Sequence, residues 1–381
     1  MTMSQQPETS EPTPTVTDAE NNAQLKEIAG LSQGQIVRRR FFRHKGAVAS
    51  MAVLTFVVIL AFTSVGLSIG DWRVPGWWQW NWSQLAPVQN RTVPSMTLVP
   101  QFLGGPGINI GDHPFGQDEV GRDTFAVVMR GAQQSLMVMV IVGLVATTIG
   151  TVLGAVAGYY RGLTDSILMR FTDVIITIPV IVIGAVLGRA FGNFGAGVLG
   201  VVIGLFAWTG LARLVRGEFL SLREREFVDA ARVAGASDTR IIFRHILPNA
   251  VGVIIVNTTL LMAAAILLET ALSYLGFGVQ SPDTSLGKII SDNQAAFSTR
   301  PWLFWWPGLF IVIIALCINF IGDGLRDAFD PRQKRLPGAR ALAKSAGLDR
   351  AAIVVTTRAQ YRGDTAVPEP DKPDTPPTRD R

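Results

Sequence analysis

Six stretches of this chain carry no charged side chain: residues 46–70, 131–160, 174–188, 190–212, 246–268 and 301–322. A helix crosses the hydrocarbon core of a bilayer in about 20 apolar residues. Five of the runs meet that length, and the short one, 174–188, can borrow Phe171, Thr172 and Asp173 at the interface. No water reaches a backbone inside lipid, so each run must satisfy its own N–H and C=O groups by forming a helix. The pattern therefore predicts an all-α polytopic membrane protein with six transmembrane helices. Composition agrees: 48% hydrophobic and 17% charged residues is too apolar for a soluble domain of 381 residues.

The basic residues set the orientation. The cluster RRRFFRHK at 38–45 precedes the first run and holds the N-terminus inside. Six crossings then return the C-terminus inside, which predicts a plasma-membrane protein with both termini cytoplasmic. A signal peptide is not expected, because the basic region comes late, the apolar run is long, and no small-x-small cleavage site follows. The expected organisation is a disordered, basic N-terminal segment (1–45), a permeation domain (46–322) with an outer loop at 71–130 and a cytoplasmic loop at 213–245, and a cytoplasmic tail (323–381). The tail begins basic at 332–344, fit for anionic lipid, and ends Pro-rich and charged.

The loop at 213–245 holds seven arginines (Arg213, Arg216, Arg223, Arg225, Arg232, Arg240, Arg244) and no lysine. The bland reading is a solvated loop whose arginines only set topology. Yet Leu222, Phe227, Val228, Ala231 and Ala234 recur at helical spacing. Gly235 can end that helix in a left-handed turn. Ser237 or Asp238 can cap a second helix bearing Ile241, Ile242 and Ile246, and Pro248 marks the entry to the next run. Helix, glycine hinge and helix would make a docking knob, although one apolar face could also lie on the membrane.

Several features set limits. Cys317 is the one cysteine, and His44, His113 and His245 are far apart, so neither a disulfide framework nor a metal motif is present. No GxxxxGK[ST] phosphate loop occurs; Gly287-Lys288 is followed by Ile289. Any pumping must draw energy from another subunit. Gly150, Gly154 and Gly158 lie four apart on one face and suit a close helix approach. Pro179 is expected to kink the third span. Trp72, Trp77, Trp78, Trp80 and Trp82, with Trp302, Trp305 and Trp306, suit an interfacial belt or an external docking surface. Asp173 is expected to pair with Arg170, and Asn257 and Asn319 to bond between helices. Glu269 either lines a substrate path or bonds within an outer helix turn, and Asn257 is the other candidate for that path. A channel or secondary transporter would want charged relays, which the runs lack; an intramembrane enzyme would want a nucleophile and a base, and no run contains a histidine.

Asp229-Ala230-Ala231, then Gly235, then Leu247-Pro248 resembles the EAA loop of ABC-importer permeases, with Asp229 in place of the usual Glu. His245, in IIFRHILPN, is similar to the oligopeptide and dipeptide branch. HPFGQDEVGRD (113–123) resembles that branch's signature, as do 154–179, 269–290 and 322–332; the resemblance covers 110–332. The longer C-terminal tail departs from it.

The resemblance implies a type I ABC-importer permease architecture and half of a pore for dipeptides or oligopeptides, or alternatively for a small solute such as a nickel chelate. It implies two ATP-binding subunits that carry ATP and Mg, a second homologous permease chain, and an extracytoplasmic peptide-binding protein; membrane lipid is the remaining partner and nucleic acid is not expected. It implies no cofactor on this chain and no enzyme activity of its own. It places ATPase docking on Phe227, Asp229, Ala230, Ala231, Gly235, Ala236, His245, Leu247 and Pro248.

Overall fold

The computed structural model describes residues 33–69, 72–88, 92–97, 107, 109–191 and 194–329. The expectations for residues 1–32 and 330–381, including the tail, lie outside the described residues.

Helix α1 (Gln33–Arg43) leads through His44 into α2 (Lys45–Ser64). The His44 ring nitrogen Nδ1 accepts from the Ala47 N–H at 3.0 Å, which caps α2, and its Nε2 lies 3.6 Å from Asp327. A short antiparallel hairpin follows, β1 (Leu67–Ile69) with β2 (Trp72–Val74), pairing Leu67 with Val74 and Ile69 with Trp72. The fold is otherwise helical. Helix α3 (Thr124–Tyr160) is the long central element. Then come α4 (Gly162–Ile176), α5 (Val180–Phe191), α6 (Ala196–Ala207) and α7 (Thr209–Arg223). The knob holds α8 (Glu226–Val233) and the single turn α9 (Asp238–Arg240). A π turn at Ile241–Ile246 joins α9 to α10 (Leu247–Tyr274). The described residues end with α11 (Leu286–Asp292) and α12 (Trp302–Phe329).

Among the described residues, α2, α3, the continuous stretch Asp238–Tyr274 and α12 are each long and apolar enough to cross a membrane alone. Two bent pairs, α4 with α5 at 75° and α6 with α7 at 47°, bring the number to six if each pair is one span. The sharper bend falls at Pro179, which cannot donate to the helix ladder.

The main core joins α2, α3, α10, α11 and α12 through Val57, Met129, Leu136, Ile266, Leu286 and Ile314. Helix α7 lies directly against the glycine face of α3. A Cβ on Gly150, Gly154 or Gly158 would sit 3.0, 2.4 or 2.7 Å from the carbonyl oxygen of Trp208, Ala212 or Arg216. Glycines every fourth residue thus face backbone every fourth residue, and the axes approach as closely as side-chain-free surfaces permit.

Several boundaries differ from those expected. Residues 33–43, assigned to a disordered segment, are helix, because Phe41 can bury against Ala47 and Ala328 at the end of α12. Helix α12 runs past 322 to Phe329 for the same reason. The loop assigned to 71–130 ends where Asp123 caps α3, and the loop assigned to 213–245 starts only after Arg223, since α7 continues through its first eleven residues. Asp173 pairs with Arg213 at 2.5 Å rather than with Arg170. Asn257 and Asn319 donate to their own helices, to the carbonyls of Val253 and Ala315 at 2.8 and 2.9 Å.

Candidate docking site

The knob between α7 and α10 is built by a glycine. At the end of α8 the Gly235 N–H donates to the Arg232 carbonyl (2.9 Å) and the Ala236 N–H reaches back to the Ala231 carbonyl (3.0 Å). This paired pattern requires a left-handed residue, and Gly235 supplies φ +78°. Ser237 is extended and precedes α9, and the Asp238 carboxylate accepts from the Tyr159 hydroxyl at 2.6 Å. The π turn then brings Ile241 and Ile246, five residues apart, onto one inward face.

That inward face is apolar. Val228, Ala231, Ile241, Ile242 and Ile246 pack on Ala155 and Tyr159 of α3 and on Leu211, Val215 and Phe219 of α7. So Val228 and Ala231, whose spacing first drew attention to this helix, are anchors within the chain. Ala236, His245 and Leu247 are half-buried, Ala236 and Leu247 against the same cluster. Phe227, Asp229, Ala230, Gly235 and Pro248 are exposed. Sequence reasoning missed two prominent outward side chains: Val233, 91% exposed, and Phe243, 64% exposed. Their signal was the complementary half of the helical pattern, apolar residues where a solvated face should be polar.

Arginines strap this region to the helix ends beneath it. Arg216 holds Asp165 of α4 bidentately at 2.5 and 2.6 Å, and Arg213 holds Asp173 at 2.5 Å. Arg161 meets Glu224 at 2.6 Å. The Arg223 guanidinium lies 5.6 Å over the Tyr159 ring and donates to the Tyr159 carbonyl. Exposed pairs of this kind contribute about 0.2–1 kcal/mol each, so their value is geometric: several restraints on one short segment. Arg225, Arg240 and Arg244 remain on the exposed surface.

The segment 113–123 at the other end of α3 is a folded cap whose carboxylates are structural. Asp123 accepts from the Ala126 N–H (2.8 Å), Trp78 Nε1 (2.9 Å) and the His113 ring (2.8 Å), and Trp80 stacks on His113. Burial pushes the Asp123 carboxyl above its ordinary value, against the opposing pull of His113 and the N–H donors. Asp118 binds Arg122 at 2.6 Å. Phe115 stacks on Trp306 at 3.8 Å. Trp78, Trp80 and Trp306 are thus bound into the cap rather than spread in a belt, while Trp77 and Trp305 stay exposed.

Glu269 is fully buried between α3 and α10. It accepts from Ser135 (2.8 Å) and Ser273 (2.6 Å), and Ser135 in turn accepts from the Leu286 N–H at the start of α11. It is a hub joining three elements. Asn257 is half-buried on α10. Among the described residues no cluster of acidic, histidine or cysteine side chains could hold a metal ion.

These features define a polytopic helical membrane protein with a folded helix–glycine–helix knob between α7 and α10. The chain matches the family model for the binding-protein-dependent transport system inner membrane component over residues 150–335, and that for the N-terminal TM domain of oligopeptide transport permease C over residues 32–74. It is 37% identical to the oligopeptide transport system permease protein OppC of Haemophilus influenzae, over 81% of this chain and 91% of that protein. The proteins of the same name from Escherichia coli K12 and Mycobacterium tuberculosis H37Rv are also 37% identical, over 83% and 80% of this chain and 96% and 97% of theirs. The chain belongs to the binding-protein-dependent transport permeases.

Proposed function

We propose that this chain forms half of the membrane pathway of an ATP-driven importer for dipeptides or oligopeptides. The observation that carries the reading is likeness to oligopeptide permeases along nearly their whole length, supported by a knob whose outward face shows Phe227, Val233 and Phe243 among its charged residues. In this reading both termini and the knob face the cytoplasm of a bacterial plasma membrane. There are two separate ATP-binding subunits, carrying ATP and Mg, and one of them seats on Phe227, Ala230, Val233 and the Gly235 turn. A second homologous permease completes the pathway, and an extracytoplasmic binding protein delivers peptide. The chain has no phosphate loop and hydrolyses nothing itself.

The knob suits this role physically. The exposed apolar side chains gain on burial by a partner, and the arginine straps stop that partner's motion from dissipating in a loose loop. The test is affinity purification of the full chain from mild-detergent membranes, followed by reconstitution. Recovery of P-loop ATPases and a second permease, with ATP-dependent uptake of a radiolabelled pool of di- to pentapeptides, supports the reading. A chain that purifies alone and moves peptide without ATP overturns it.

A further inference from the structure

The Tyr159 hydroxyl occupies an unusual place. It belongs to the last turn of α3, and its ring is buried against the knob's inner face. The oxygen donates to Asp238 at 2.6 Å, the first residue after the glycine hinge and its Ser237. Its ring shares an apolar cluster with Val228 and Ala231 of α8, on the other side of the hinge. One tyrosine therefore holds both halves of the helix–glycine–helix knob, α8 through its ring and α9 through a hydrogen bond to a charged group, which is stronger than a neutral one. Arg223 closes the cage by lying over the ring and bonding the Tyr159 carbonyl, so the tyrosine's position is fixed from the α7 side too. Ring packing alone would hold the knob near α3. The hydroxyl adds a second point of attachment, on α9, across the Gly235 turn.

We propose that Tyr159 is the positioning residue that fixes the hinge angle of the knob and passes its displacement to α3, so that ATPase motion and opening of the pathway stay in step. This rests on the import reading above. It predicts a specific failure. A chain lacking the hydroxyl still folds and still seats its ATPase, but α8 and α9 can change their angle without moving α3, and ATP is hydrolysed without import.

The experiment uses the complete reconstituted transporter with Tyr159→Phe, Asp238→Ala and the double variant. Phenylalanine keeps the buried ring, and Asp238 is exposed, so both single variants should fold. Assembly with the ATPase subunits and the ATP hydrolysis rate should stay within twofold of wild type. Peptide taken up per ATP hydrolysed should fall about tenfold in each, the scale of a lost hydrogen bond to a charged group. The double variant should be no worse than either single. Unchanged uptake per ATP in Tyr159→Phe overturns the proposal. So does a proportional fall of hydrolysis and uptake in both single variants, which would mark a merely structural contact. A wild-type complex that fails to assemble or to import peptide would instead refute the import reading.

Discussion

The seam between α3 and α7 can be tested by adding one carbon. A Cβ at residue 154 would lie 2.4 Å from the Ala212 carbonyl oxygen and 2.8 Å from the Val215 Cβ. Comfortable carbon contacts begin at about 3.5 Å, so the helices must part by about 1 Å or bend. Overpacking of a rigid interface costs about 1–3 kcal/mol. Replacing a helical glycine by alanine returns about 1 kcal/mol of backbone propensity, which would mask part of the loss. Gly217, on α7, removes that ambiguity, since a Cβ there meets nothing within 4 Å. Gly154→Ala should therefore be less stable than Gly217→Ala by about 1–3 kcal/mol, read from denaturant midpoints of the purified protein in one detergent. Because α7 carries the knob, uptake should fall in Gly154→Ala and stay near wild type in Gly217→Ala. Equal stability of the two variants, within about 0.5 kcal/mol, would refute the close-packed seam.

At the hinge, Gly235→Ala meets no atom but forces a left-handed alanine, a strain of about 1–2 kcal/mol; uptake should drop while membrane levels hold, and Gly235→Asn should recover most of the loss. Gly235→Arg should reach the membrane and import nothing, and normal ATP-driven uptake by it would count against a docking role. Val233→Asp alters a side chain that is 91% exposed, so a melt should shift little, yet recovery of the ATPase subunits on an affinity column should fall at least tenfold. Glu269→Ala should destabilise the purified protein by about 3 kcal/mol, since it strands the hydroxyls of Ser135 and Ser273, whereas Glu269→Gln keeps an acceptor for one of them and should cost about half as much.

The spans were legible because lipid admits one solution for an uncharged run, and the knob because glycine, cap and periodicity agree across a dozen residues. The direction of the knob's faces was harder to read. Val228 and Val233 are equally apolar, and only the surface formed by Ala155, Tyr159 and Phe219 decides that the first is buried. The arginine straps were invisible for a similar reason: Arg213 and Arg216 find carboxylates 40 and 51 residues away, while the local candidate for Asp173, Arg170, was the wrong one. The helix at 33–43 escaped notice because its partner, Ala328, lies on α12, remote in the sequence. In each case the missing term was tertiary.

The stretch Asp238–Tyr274 is helical without interruption for 37 residues, about 55 Å at 1.5 Å per residue. Its first residue holds the Tyr159 hydroxyl and its last turns hold Glu269. Such an element behaves as a lever. A tilt of about 10° around its midpoint would swing each end by roughly 5 Å, in opposite directions, on the geometry of a rod that long. A push at the arginine end thus becomes a comparable movement beside α11, at the opposite face, with no relay of side chains between them.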